Sequence, residues 1–419
     1  MTDEEVKTDP LQWIWDMANQ IIEMPEFQRL KHIKQLGCCS YVYKNAKHSR
    51  FEHSVDVYEL AKKQILYLKD KQPELKISDR EIMAVCLASL THDCMHGSYS
   101  HLFDHWLNSR GIHDPMAEHE ARAGIFIDYI CVKYNLPINK EEQTMMKLMI
   151  NPTKIPKERR FLYQILANKD TNLDVDKLSY LTLDSTCFKA SAKDLIKPDE
   201  IIYNTRVIDN HLCLEESAYI HSLNVFTTRF ILHRDYYNSA ETKAVDSLMM
   251  KLFDEIDVHD KILSSSIHKI EKFLEITDSY ILKLGSQFKC PSLEKLRNKA
   301  WNKCIARFKL STADMTPELQ EYINMMNKED NLELIAVKIG LVSGNRKNPL
   351  KQIQFYKHSS ETEAVIPTYN MNNFVLFSDS YQEILLYVYV EDMTKIKPSL
   401  LNDIAMQLEV FKQEKTTIV

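Results

Sequence analysis

Glycine is scarce in this chain. Seven occur in 419 residues: Gly37, Gly97, Gly111, Gly124, Gly285, Gly340 and Gly344. No G-x-G-x-x-G and no G-x-x-x-x-G-K-[ST] can be written with them, which excludes the glycine-rich cradles of dinucleotide folds and P-loops. Any bound phosphate must therefore be held by side chains or a metal. Few glycines also suit long helices better than a turn-rich β fold. No apolar run approaches 18 residues, and there is no amino-terminal signal peptide. The nine cysteines are an odd number with no C-x-x-C spacing, and only Cys38 and Cys39 are adjacent. Together these absences lead us to expect an intracellular protein, cytoplasmic or nuclear, not secreted and without a membrane partner. The net charge of −6 supplies no overall basic field, so a nucleic-acid partner is unsupported.

Hydrophobic residues make up 44% of the chain, enough for a large core. Helical periodicity runs from about 11 to 36 and past Pro25. It returns over 54–70, where Ser54 is the expected N-cap, and again in "ISDREIMAVCLASLTHD", where Ser78 and Glu81 form a capping box. Further helical patterns fall at about 118–133, 141–150, 159–168 and 174–184, then over a long stretch, 216–284. After about 330 the character changes. "LELIAVKIGLV", "KQIQFYKH", "FVLFS" and "EILLYVYVED" read as strands, and a last helix covers about 397–413. The expected fold is mainly α: a helical body over 9–320 with a smaller C-terminal α+β region over 321–419.

"THDCMHGSYSH", residues 91–101, holds three of the fifteen histidines beside an aspartate. Six histidines lie at 92, 96, 101, 105, 113 and 119, where a uniform spread would put about one. A His-Asp pair occurs three times, but only His92-Asp93 follows a strongly apolar helix. A polar pair there lies beside the core, where an unpaired imidazole and carboxylate would be costly. A divalent cation would satisfy both. Adjacent helical residues point about 100° apart, so other segments must complete a site, and His53 and Asp176 are candidates. Two His and two Asp suit iron, manganese, zinc or magnesium, and a bridging carboxylate allows one ion or two. His101, with Asp104 three residues on, has the form of a general acid oriented by a carboxylate.

"HSRFEHS", "HDCMHGSYSHLFD" and "DVDKLSY", in that order and spacing, resemble the HD-domain phosphohydrolases. Within them the chain is similar to the SAM-and-HD-domain deoxynucleoside triphosphate triphosphohydrolases of vertebrates. The likeness includes "MPEFQRLKHIKQLG" and "TTRFILHRDYYNSA" and spans about 9–410, with no counterpart of the SAM domain. It implies an HD-domain helical body and metal-dependent hydrolysis of dNTPs to deoxynucleoside and inorganic triphosphate, which would lower dNTP pools. It also implies a homo-oligomer, dimer or tetramer. Carried over residue by residue, it places metal ligands at His53, His92, Asp93 and Asp176. Catalytic residues fall at His96, His101 and His119, with Asp104 orienting His101. Base and sugar contacts fall at Gln35, Leu36, Asp184 and Tyr237, and phosphate contacts at Arg50, Lys177, Tyr180 and Arg229.

The chain departs from this pattern in places. Asn238 stands where the family has glutamine after the pocket tyrosine. Cys94-Met95 occupies a loop that usually carries glycine. Glu215–Ser217 meets the family's basic positions for an activating nucleotide, where acids would repel a triphosphate, so turnover without GTP is expected. Other readings of the same metal set are action on a different nucleotide or a nucleic-acid end, or a nucleotide-binding regulator without turnover.

Overall fold

In a computed structural model the chain is described over residues 9–188, 195–311, 314–329, 331–341, 348–357 and 382–413. It is mainly α, a helical body followed by a smaller α+β region, as the sequence leads one to expect. The helices that position the site are α1 (Gln12–Glu23), α2 (Arg50–Lys71), α3 (Asp79–Thr91), α4 (His101–Ser109), α5 (His119–Lys133), α6 (Val175–Cys187), α7 (Tyr219–Leu232) and α8 (Ala240–Asp257). α3 is the centre of the body, because ten consecutive residues, Ile82–Thr91, are buried. Among the described residues no helix is long and apolar enough to cross a membrane.

Two local expectations are corrected. The helix does not run past Pro25: α1 ends at Glu23, and Met24 turns extended at ψ 138°. Proline removes an N–H and disfavours helix in the residue before it. The following chain continues as short turns, Pro25–Gln28 and Arg29–His32. The second correction moves the start of α2 from Ser54 back to Ser49. Ser49 and Glu52 form a capping box, of the same form as that of Ser78 and Glu81 on α3. Apolar periodicity begins only near Val57, so it hides the earlier start. The shift puts Arg50 and His53 in the first turn of α2.

The stretch 216–284 is broken several times. α7 ends in a π turn, His233–Tyr237, and α8 begins at Ala240. A hairpin, β1 (Thr205–Ile208) with β2 (His211–Glu215), lies ahead of α7 and has no counterpart in the sequence reading. The C-terminal region contains β3 (Lys303–Ser311), α9 (Pro317–Met326), β4 (Leu332–Gly340), β5 (Phe355–Tyr356), β6 (Gln382–Val390) and α10 (Leu400–Gln413). β6 lies between β3 and β4, antiparallel to both. The expected strands at 332–342 and 383–392 are β4 and β6. "KQIQFYKH" reduces to two-residue β5, which joins β2 in parallel. "FVLFS" lies outside the described residues. The expected division at residue 321 falls inside α9.

β6 is buried on both faces, and alternation sorts its side chains. Ile384, Leu386 and Val388 meet Leu319, Ile323, Ile404 and Leu408 of α9 and α10. Leu385, Tyr387 and Tyr389 turn the other way, toward Ala244 of α8. The Tyr387 hydroxyl donates to the Asn238 carbonyl at 2.8 Å, and that of Tyr389 to the Ala240 carbonyl at 2.8 Å. The sheet thereby grips the link that carries Tyr237.

The two candidate caps of α2 separate in a thermal melt. Ser49→Ala should destabilise the protein by ~1 kcal/mol. Ser54 is fully buried, and its hydroxyl has no hydrogen-bond partner among the described residues, so Ser54→Ala should be neutral or slightly stabilising. The reverse ranking would restore Ser54 as the cap.

Candidate active site and metal centre

A cavity of ≈ 470 Å³ opens where these helices converge. Arg50 reaches it from α2, and His92 and Asp93 reach it from the end of α3. His101 opens α4 and His119 opens α5. Asp176, Lys177, Tyr180 and Asp184 line it from α6, Arg229 from α7, and Tyr237 and Asn238 from the turn before α8. Gln35 and Leu36 also line it, with the Gln35 backbone carbonyl 3.5 Å from Arg50 Nη2. Among the expected residues, His53, His96 and Asp104 stand behind the wall and are buried. Every site residue expected from the sequence is thus in or against one cavity, although the residues come from segments far apart in the chain.

The four expected ligands converge. Nitrogen or oxygen atoms of His53, His92 and Asp93 lie within 4.8 Å of one another. His53 Nε2 is 3.3 Å from Asp93 Oδ2 and 3.1 Å from Asp176 Oδ1. His92 Nε2 is 3.4 Å from Asp93 Oδ1 and 3.6 Å from Asp176 Oδ1. The other ring nitrogens are already engaged. His92 Nδ1 donates to the Ser89 carbonyl at 2.7 Å, and His53 Nδ1 is 3.1 Å from Ser179 Oγ. Engagement of Nδ1 leaves the Nε2 lone pair facing inward, the usual outer support of a metal-ligating histidine. His92 Nε2 is buried and makes no hydrogen bond among the described residues. An orphaned nitrogen among two carboxylates and a second imidazole fits a divalent cation. Burial disfavours the charge on Asp93, yet Arg50 and His92 outweigh it and hold the carboxyl well below its ordinary value.

The second imidazole group is His96, His101 and His119, whose ring nitrogens also lie within 4.8 Å of one another. The rings of His96 and His119 stack at 3.8 Å. The expected pairing of Asp104 with His101 is corrected. Asp104 Oδ2 accepts from His119 Nδ1 at 2.8 Å and from the His119 backbone N–H at 3.1 Å, while Arg122 holds Oδ1. α4 turns Asp104 toward the start of α5, whereas His101 projects into the cavity. Burial opposes the charge on His119, but the bond to Asp104 and the nearby Glu120 raise its pKa above the ordinary value. His101 is open to the cavity but walled by protein, and that enclosure, with Arg50 and His119 nearby, brings it down to about 4. A neutral His101 thus faces the cavity beside a His119 that favours its proton.

The loop between these groups is pinned by its carbonyls. Buried Arg29 donates to Cys94 O at 3.2 Å and His96 O at 2.8 Å, and buried Arg122 donates to Met95 O at 3.1 Å. The Cys94 and Met95 side chains pack into the core. A Cβ at Gly97 would land on the Phe103 ring. Neither arginine stands out in the sequence, because Arg29 donates only to backbone oxygens among the described residues and Arg122 donates to backbone oxygens and a carboxylate eighteen residues away.

The substrate side is cationic. Arg50 Nη1 donates to Asp93 Oδ2 at 2.5 Å, and Lys177 Nζ is 3.2 Å from Asp174 Oδ2. Arg229 Nη1 donates to the Gly340 carbonyl of β4 at 3.0 Å. Asp184 is held from two sides, by the Tyr237 hydroxyl at 2.5 Å and by His48 Nε2 at 2.7 Å. His48, which the sequence reading passed over, also stands 3.2 Å from Cys187 Sγ through Nδ1. Its position in "KHSRFEH" was the available signal. Asn238 turns its amide back to the His233 carbonyl at 2.8 Å. Leu36 is half-buried and packs against the main core. The Gln35 side-chain carbonyl is buried without a partner among the described residues.

The His48–Asp184 pair has a pH signature. Burial would lower the pKa of His48, but its bonds to Asp184 and Cys187 prevail and raise it to about 9. A histidine raised in the folded state contributes stability that is fully present below its unfolded value near 6.5 and is lost as pH rises through about 9. The loss is at most ~3 kcal/mol. Melting temperatures from pH 6 to 10 should therefore fall more steeply for the unmodified chain than for His48→Gln. Parallel curves would remove the charged pair from the account.

No protein-family model matches the chain. The deoxynucleoside triphosphate triphosphohydrolase SAMHD1 of Bos taurus is 30% identical over 427 residues, spanning 88% of this chain and 72% of the bovine protein. The SAMHD1 homolog of Dictyostelium discoideum is 29% identical over 363 residues, spanning 83% of this chain and 70% of that protein. A putative HD domain-containing protein of Acanthamoeba polyphaga mimivirus is 28% identical over 420 residues, spanning 90% of both chains. With the bovine likeness covering most of both proteins, the chain belongs to the SAMHD1 family of deoxynucleoside triphosphate triphosphohydrolases.

Proposed function

We propose that the chain hydrolyses dNTPs to deoxynucleoside and inorganic triphosphate, and so lowers the dNTP pool. The observation that carries the reading is the orphaned His92 Nε2, set among His53, Asp93 and Asp176 in a cavity whose wall also presents Arg50, Lys177 and Arg229. The names borne by the relatives support the same substrate class. We take His53, His92, Asp93 and Asp176 as the residues that would hold iron, manganese, zinc or magnesium, one ion or two. When bound, such a cation supplies Lewis acidity and lowers the pKa of water.

The chain's own groups do the rest. Arg50 and Arg229 offer donor forks to phosphate oxygens, and Lys177 offers a point charge. Tyr180 lies beside Lys177 and Arg229, completing the phosphate wall. Asp184 and Tyr237, locked to each other, bracket the sugar together with Gln35 and Leu36. Water adds to the α-phosphorus, one of its protons is released to solvent and replaces the one His101 delivers, and the P–O5′ bond breaks. His101, which faces the cavity, gives its proton to O5′, while the triphosphate's negative charge favours the protonated ring. The Nδ1–H bond to Asp104 favours the protonated form of His119, and His96 packs against it as a neutral ring. Burial and Arg50 keep His96 well below its ordinary pKa. We further propose that the working form is a homo-oligomer, which light scattering would size.

Product analysis tests the reaction. With Mn²⁺ or Mg²⁺ and a mixed dNTP pool, chromatography should resolve deoxynucleosides and triphosphate, at the same rate with or without GTP. Nucleoside monophosphate and pyrophosphate as the products would sink the assignment, and a strong GTP requirement would sink the regulatory part. EDTA should abolish turnover and added metal should restore it, with His92→Ala inactive and depleted of metal by elemental analysis. His101→Ala should lower kcat by about 10²- to 10⁴-fold while metal content is retained. Unchanged kcat would remove His101 as the acid.

A further inference from the structure

At one end of the cavity the proposed reaction uses only Gln35 and Leu36. There the wall is built from the Gln35–Cys39 loop, His105 of α4, and the first turns of α8. Two charged side chains face each other in it. Lys243 Nζ lies 2.8 Å from Asp246 Oδ2, and the two side chains are only 24% and 16% exposed. We infer that Lys243 and Asp246 form the base-recognition subsite of this cavity and that its preferred occupant is guanine. The inference rests on the dNTP reading above, which puts the phosphates at Arg50, Lys177 and Arg229 and the sugar at Asp184 and Tyr237.

The two residues lie three apart on α8, a spacing at which opposite charges meet, but with lysine first the order runs against the helix dipole. Lys243 sits at the amino-terminal end of α8, where the helix dipole disfavours a cation. An ion pair withdrawn from water carries a desolvation penalty that its attraction need not repay. A pair in the less favoured order, largely shut from water and lining a cavity, is positioned for what enters that cavity. The surrounding wall sharpens this. Cys38 and Cys39 are buried, and burial raises both thiols, so they are neutral, weakly polar neighbours, with the Cys38 thiol donating to the Asp246 carboxylate. Thr242 Oγ1 is turned to the Tyr236 carbonyl at 3.0 Å and to Ser239. His105 is the other titratable group beside the pair, and burial with Lys243 nearby lowers its pKa, which favours the neutral ring. Lys243 and Asp246 are thus the charged edge of an otherwise neutral end, the usual composition of a selective ligand pocket.

The chemistry of the bases then selects one. Guanine alone presents two donors side by side, N1–H and N2–H, next to the O6 acceptor. On giving up its bonds to Lys243 and to the weakly donating Cys38 thiol, the Asp246 carboxylate can take both donors in parallel, and the Lys243 ammonium can donate to O6. Adenine, cytosine and thymine each offer one donor group on that edge, so the carboxylate's second oxygen would lose its water without gaining a bond. Bidentate recognition of a base edge is worth a discrimination of roughly 5- to 150-fold.

The test compares kcat/KM for the four dNTPs, without GTP, in the unmodified protein, Asp246→Asn and Lys243→Met. Asparagine presents an amide N–H to guanine's donors, and methionine keeps the apolar stem while removing the charge. We expect dGTP to exceed dTTP by at least about 5-fold, and both variants to bring that ratio toward one. Four equal substrates in the unmodified protein would overturn the inference. So would variants that depress all four dNTPs alike, because a structural or phosphate-binding role would do that. If no dNTP is turned over, the proposed function fails, and equilibrium binding of dGTP and dTTP in EDTA then decides the subsite. Tighter dGTP binding that Asp246→Asn abolishes supports it, and equal affinities reject it.

Discussion

The buried carboxylate of Asp93 is the constraint on which the rest of this structure depends. It is 3% exposed and faces Arg50, His53, His92 and His96 within 3.4 Å. A charge taken so far from water survives only among partners. Those partners dictate where neighbouring elements go. Arg50 and His53 must sit in the first turn of α2, which fixes that helix's start at Ser49 rather than Ser54. His92 must close α3, with its Nδ1 spent on its own helix so that Nε2 looks inward. The loop that follows cannot wander, because Arg29 and Arg122 fasten its carbonyls from below. Cys94 and Met95 are explained by this. The backbone there is held by guanidinium donors, and the side chains are free to fill the core.

The same economy links the two regions of the chain. Among the described residues the C-terminal sheet reaches the site's surroundings through hydroxyl and carbonyl groups and through Glu383 of β6, which holds Arg234 of the π turn. Tyr387 and Tyr389 hold the backbone from Asn238 to Ala240, and Gly340 receives Arg229. The π turn at His233–Tyr237 thus lies between a helix that carries a phosphate-binding candidate and a sheet that steadies it. Such turns are frequent at functional sites because they re-aim side chains that a regular helix would turn away. Asn238, shorter than glutamine, spends its amide on this turn.

Much of the site was legible in the sequence. The density of histidine after an apolar helix pointed to His92 and Asp93 by burial cost alone; the need for further donors made His53 and Asp176 candidates, and the family resemblance pointed to the same two. Capping chemistry was legible at Ser78, where periodicity and the Ser–Glu spacing agree. It was misread at Ser49, where they do not. β4 and β6 were visible as apolar and aromatic runs. β3 was not, because Lys303–Ser311 alternates charged and apolar residues on a half-covered edge. His48 was passed over because it lies in the loop before α2, and Lys243 and Asp246 because charges three apart on a helix read as a solvated pair until the surrounding wall is known.

By itself the sequence determined the inventory: which donor atoms exist, that no glycine loop can cradle a phosphate, and that the body is helical. Those are properties of residue type and spacing, and they hold in any packing. Only the tertiary structure decided the pairings. Asp104 lies three residues from His101 and fifteen from His119, yet it bonds His119, because the entry of α5 brings that ring and Arg122 to the inner face of α4. Proximity along the chain gives a side chain a neighbour. Burial decides which neighbour it must satisfy, since a carboxylate shut away from water takes the donors that close the space around it.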